Sequence, residues 1–66
     1  NGGQNRIATI GDNVSISIGA KVIGDVTIGN NVIVAPNSVV VKDIPNDCVV
    51  SGVPAKIIKR DGVKVV

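Results

Sequence analysis

From residue 10 onward the apolar positions recur every six residues. Laid out in sixes, the first position reads Ile10, Ile16, Val22, Ile28, Val34 and Val40, all β-branched aliphatics. The fifth reads Val14, Ala20, Val26, Val32, Ser38 and Ile44, small or medium side chains able to fill space beside the larger one. The fourth reads Asn13, Gly19, Asp25, Asn31, Asn37 and Asp43, residue types that tolerate turns or a positive φ. An ordinary antiparallel sheet would alternate with period two and turn at irregular intervals. Agreement at three positions of one repeat argues instead for a solenoid, with one short strand per face, a turn every six residues and three faces per coil. Residues eighteen apart then stack. This pairs Ile10 with Ile28, Ile16 with Val34 and Val22 with Val40, and likewise Val14 with Val32, Ala20 with Ser38 and Val26 with Ile44.

The pattern divides the chain into three parts. Residues 1–9 read as a loop, because Gln4 does not suit a first position. Residues 10–45 make two complete coils. After Ile44-Pro45 the period fails, with Asn46 at the next first position, so 46–66 read as a closing turn and a basic tail. Two coils leave open strand edges, so further coils on the N-terminal side, or neighbouring chains, are expected to cover them. The start at Asn1 rather than Met likewise suggests a fragment or a processed product.

Composition supports strands: 14 Val and 10 Ile stand against no Leu and no Glu, an all-β bias. With no His and only Cys48, the chain cannot build a Ser-His-Asp triad, a Cys-His dyad or a zinc site of its own, so no catalytic residue and no metal is assigned. Cys48 has no base to activate it and is expected to pack rather than react. No apolar run reaches the length of a membrane span, so no membrane role is expected. The lone cysteine is compatible with a reducing cytoplasm. Lys56, Lys59, Arg60 and Lys64 form a basic tail, but without a single aromatic residue they do not suggest nucleic acid.

Five segments carry a family resemblance: Ile10-Gly11-Asp12-Asn13-Val14, Ile18-Gly19-Ala20-Lys21-Val22-Ile23-Gly24-Asp25, Ile28-Gly29-Asn30-Asn31-Val32, Asn37-Ser38-Val39-Val40-Val41-Lys42-Asp43-Ile44-Pro45 and Gly52-Val53-Pro54-Ala55-Lys56-Ile57-Ile58. In this order they resemble the C-terminal part of hexapeptide-repeat acyltransferases, bacterial serine O-acetyltransferases and related sugar O-acetyltransferases. The resemblance implies a left-handed parallel β-helix and a homotrimer, with acetyl-coenzyme A in the groove between neighbouring helices. It also implies direct transfer, in which a His base deprotonates the acceptor hydroxyl and backbone donors hold the thioester and pantetheine arm. That His is absent from this chain.

Carried over position by position, the family's coenzyme contacts fall at Ile18 and Pro36 beside the pantetheine arm. Where Pro36 stands the family commonly has Ala; proline lacks an N–H, so its carbonyl is what remains to contact the arm. Val41 and Lys42 fall on the stretch near the pantetheine and phosphates, and Lys56 and Lys59 on the basic positions near the nucleotide phosphates. Serine acetyltransferases usually carry Asp-Arg-His-Pro before the coil that opens at Ile10; this chain has Asn5-Arg6-Ile7-Ala8. Arg6 can pair with an acceptor carboxylate, whereas Ile7 offers no side-chain hydrogen bond. Serine is therefore the leading acceptor and a saccharide the second. A non-catalytic β-helical trimerisation module is the reading from a different class. In serine acetyltransferases the far C-terminus can also dock into the enzyme that makes cysteine, and Val63-Lys64-Val65-Val66 ends as such a peptide would.

Overall fold

A computed structural model describes residues 8–65. Among them there are nine strands and no helix; accordingly no helix is long and apolar enough to cross a membrane. Six strands of two residues each form two coils: β1 (Thr9–Ile10), β2 (Ser15–Ile16) and β3 (Lys21–Val22), then β4 (Thr27–Ile28), β5 (Ile33–Val34) and β6 (Val39–Val40). All three pairings are parallel, with Ile10 on Ile28, Ile16 on Val34 and Val22 on Val40. This is the eighteen-residue stacking expected from the repeat.

The strands are short because the chain turns in the left-handed region at regular intervals. Asn13, Asn31 and Asn37 take φ of 57°, 59° and 58°, and Gly19 takes 76°. Asparagine tolerates this region better than other side-chain-bearing residues because its short amide can bond locally. The corner after β3 departs from the expectation that Asp25 would bend the chain. Gly24, one residue earlier, carries the positive φ of 89°, and a residue without a Cβ adopts it without steric cost.

Stacking also departs from the eighteen-residue rule after β6. Ile44 bridges Ile28 and not Val26, a separation of sixteen. The corner at Val41–Asp43 is two residues shorter than the one above it, and the Asp43 carboxylate fills the gap by accepting the Thr27 N–H at 2.8 Å. The coil continues past Pro45 in this shifted register. Asn46 Oδ1 accepts the Asn30 N–H at 2.7 Å, just as Asn30 Oδ1 accepts the Asp12 N–H at 2.8 Å one coil above. Asn46, which ends the sequence period, therefore extends a side-chain ladder.

This ladder needs glycine beneath it. A Cβ on Gly29 would lie 2.7 Å from the Asn46 nitrogen and 2.9 Å from the Pro45 carbonyl carbon, besides meeting Asn46 Oδ1. Gly29→Ala should therefore cost about 1–3 kcal/mol through overpacking. A melting temperature equal to that of the parent would contradict this close packing.

The segment expected as a closing turn and basic tail is mostly strand. β7 (Cys48–Ser51) lies parallel on β5, β8 (Lys56–Arg60) returns antiparallel to β7, and β9 (Val63–Lys64) returns antiparallel to β8. A five-stranded sheet thus grows from one face of the solenoid in the order β2-β5-β7-β8-β9.

The buried core is Val26, Ile28, Val32, Val34, Val40, Ile44, Cys48 and Val50. Ala55 and Ile57 pack against it from the closing segment. Cys48 is buried as expected, its thiol donating to the Asn46 carbonyl at 3.4 Å. The first coil differs from the second: Ile10 and Ile16 point inward by register yet stay 46% and 40% exposed. No described strand stacks on their other side.

Candidate functional site

Five of the expected contact residues, Ile18, Pro36, Val41, Lys42 and Lys56, occupy three places around one face. Ile18 and Pro36 lie on the corner that leads into the β3–β6 face, stacked by the Asn37 N–H donating to the Ile18 carbonyl at 3.0 Å. Both are on the surface, Ile18 at 86% exposure. Close stacking here again requires glycine, since a Cβ on Gly19 would run into Asn37 Oδ1. Gly52 stands below Pro36 in the same column, sixteen residues on, by the register of β5 and β7. Pro36 has no N–H, and that of Gly52 is bonded to Ser38 Oγ at 3.1 Å. Among the described residues, Ile18 is the position in this column whose N–H carries no hydrogen bond.

Val41 and Lys42 lie on the corner at the other end of β6, both exposed. This is the shortened corner, so the two-residue contraction that redirects the coil also sets where Lys42 emerges. Lys56 borders the same face from below. It follows Ala55, whose N–H donates to the Val39 carbonyl at 2.8 Å, and it opens β8 opposite Ser51. Ile18 with Pro36, Val41 with Lys42, and Lys56 thus frame the β3–β6 face on three sides. The described residues enclose no cavity, so this frame is an open surface.

Lys56 and Lys59 are three apart in one strand, a spacing that ordinarily places side chains on opposite sides of a sheet. A register shift between Val49 and Val50 removes that alternation: Lys56 pairs with Ser51, Ile57 with Val50, and Lys59 with Val49, leaving Ile58 as an extra residue. Such a bulge re-aims the side chains on either side of it. Ser51 and Val49 alternate with the buried Val50 and Cys48, so both lysines share the outer side of the sheet.

Lys64 joins them, because it pairs directly with Lys59. Like charges opposite one another destabilise a sheet, and an anion above the pair would relieve that repulsion. By sequence Lys64 is part of the basic tail, and a local signal brings it into this row. Asp61-Gly62, at φ of 53° and 78°, forms the two-residue hairpin turn that brings β9 back along β8. Ser38 is a space-filler by its place in the repeat, yet among the described side chains it is the buried polar residue. Arg6, the expected acceptor contact, lies outside the described residues.

Comparison with known proteins agrees with this architecture. Residues 7–42 match the profile of the bacterial transferase hexapeptide family (six repeats). Serine acetyltransferase from Synechococcus elongatus is 47% identical over 60 residues, covering 91% of this chain and 25% of that protein. Serine acetyltransferase from Staphylococcus aureus is 50% identical over 60 residues, covering 91% and 28%. The chain therefore spans about a quarter of the length of the curated relatives it matches.

Among solved structures, serine acetyltransferase from Neisseria gonorrhoeae superposes with a TM-score of 0.85 at 41% identity, over 96% of this chain and 24% of that one. A hexapeptide-repeat acetyltransferase from Vibrio cholerae, complexed with acetyl-coenzyme A, gives 0.78 at 42% identity, over 80% and 29%. A maltose O-acetyltransferase from Clostridium difficile gives 0.78 at 45% identity, over 80% and 28%. The repeat and these structural relatives give the coils their left hand, which the six-residue period could not supply. With a matching profile over more than half its length and relatives that extend the match through the closing strands, the chain belongs to the hexapeptide-repeat acyltransferase family, as a left-handed parallel β-helix.

Proposed function

We propose that this chain is the coenzyme-binding C-terminal portion of an O-acetyltransferase that moves acetyl from acetyl-coenzyme A to a hydroxyl, with serine as the leading acceptor. The observation that carries this reading is its 47–50% identity to serine acetyltransferases, which reaches past the hexads into the closing segment. The acetyl-coenzyme A complex of a relative 42% identical to this chain supports the co-substrate.

In this reading Ile18 and Pro36 flank the pantetheine arm, Val41 and Lys42 lie along its course, and Lys56 and Lys59 meet the nucleotide phosphates. Cations suit that polyanion. With no His in the chain, the base that deprotonates the acceptor comes from outside these residues. The hydroxyl oxygen then attacks the thioester carbonyl, and the coenzyme thiolate leaves with the proton.

A groove between copies requires a second copy. Ile18, Ile23, Val41 and Val53 are apolar and exposed around the β3–β6 face, and such a patch favours contact with another protein surface. A homotrimer packed on this face, working in the cytoplasm on the route to cysteine, completes the proposal. Arg6 is retained as the candidate contact for an acceptor carboxylate.

The sugar alternative rests on the 45% identity to a maltose O-acetyltransferase and on Ile7, which cannot bind an amino acid as a histidine would. Thioester consumption by the full-length protein, measured with serine and with a panel of sugars, decides between them. Faster turnover with serine is expected. Faster turnover with a sugar would install the alternative, and no consumption with any acceptor would favour the non-catalytic module.

A further inference from the structure

Ser38 occupies the one fifth position of the repeat that is polar, and it is 1% exposed. A buried hydroxyl is costly unless it bonds. Its oxygen accepts the Gly52 N–H at 3.1 Å. Two further bonds join the same elements: the Val39 N–H donates to the Gly52 carbonyl at 3.0 Å, and the Ala55 N–H donates to the Val39 carbonyl at 2.8 Å. Together they hang the Gly52–Ala55 turn on the start of β6. At this turn the chain stops coiling and reverses into antiparallel β8. Lys56 is the next residue, and Pro36 lies two residues before Ser38 on the same corner.

We propose that Ser38 is a positioning residue for coenzyme binding: its buried hydroxyl fixes the closing turn and so holds Lys56 at the lower edge of the β3–β6 face. This rests on the coenzyme reading above. An alanine at this position would leave the Gly52 N–H without its acceptor and the turn held through Val39 alone. The hydroxyl therefore serves the place of the lysine more than the packing of the coil.

The test is a double-mutant cycle in the full-length protein, with dissociation constants for coenzyme A and for pantetheine, which lacks the nucleotide phosphates. Variants are Ser38→Ala, Lys56→Ala, the double variant, and Val32→Ala as a core destabilisation remote from the turn. Ser38→Ala is expected to weaken coenzyme A about threefold to tenfold, in line with loss of one hydrogen bond, and to leave pantetheine unchanged. In the Lys56→Ala background the Ser38 effect should vanish, since residues acting through one another are not additive. Val32→Ala should lower the melting temperature without this selective loss. Unchanged coenzyme A affinity in Ser38→Ala, equal weakening of both ligands, or full additivity with Lys56→Ala would each overturn the proposal while the coenzyme reading stands. Failure of the parent protein to bind coenzyme A would overturn that reading, and the Ser38 proposal with it.

Discussion

Ile28→Ala should lower stability by about 2–5 kcal/mol, the range for removing a large aliphatic from a packed core. Ile28 is 1% exposed, lies on Ile10 above and bridges Ile44 below. It thus occupies the centre of a three-layer aliphatic column, where the space left by truncation has little freedom to collapse. Ile10 heads the same column at 46% exposure, so Ile10→Ala in the 66-residue chain should cost clearly less. Denaturant unfolding of both variants measures this. An Ile28→Ala loss under about 1 kcal/mol, far below the range for a buried aliphatic, would refute the stacked core.

On the proposed acetyltransferase reading, Lys56→Ala in the full-length protein should raise KM for acetyl-coenzyme A about tenfold and leave KM for the acceptor nearly unchanged. A hydrogen bond to a charged group contributes about 1.5–3 kcal/mol, and the exposure of Lys56 places its effect at the lower end. The loss should shrink as salt rises, because exposed charges are screened. Arg60 supplies the contrast. It pairs with Cys48, on the opposite side of the sheet from Lys59 and Lys56, so Arg60→Ala should leave KM for acetyl-coenzyme A largely intact. Equal effects of the two substitutions would mean that net charge, and not placement on the outer side of β8, governs coenzyme binding.

The contrast between Lys56 and Arg60 shows what could be read from the chain and what could not. The motif Gly52-Val53-Pro54-Ala55-Lys56 pointed to Lys56 directly. Lys59 was legible by family position, but its company with Lys56 depends on the bulge at Ile58, which three residues of separation argue against. Lys64 became part of the row only through its pairing with Lys59. Its turn, Asp61-Gly62, is a short-range hairpin signal that stands outside the six-residue period. Ser38 was visible as an oddity among aliphatic fifth positions, whereas its partner Gly52, fourteen residues away, was not.

The repeating unit is written in the sequence alone: a β-branched aliphatic, then three residues on a residue able to enter the left-handed region, six times over. These are local preferences of side chain and backbone, so they are written residue by residue, and they predict the stacking of Ile10, Ile16 and Val22 on their partners without any tertiary information. How the solenoid ends is set by contacts between distant segments. The slip from eighteen to sixteen residues is settled where the Asp43 carboxylate reaches Thr27, and the reversal into β8 where Gly52 meets Ser38 and Val39. Both join segments far apart in the chain; the sequence marks the break in the period after Pro45 and the closing motif, but not the contacts that set the register there. The lysine row of the candidate site depends in addition on the bulge at Ile58, because a one-residue shift of register decides which side of a strand a side chain faces.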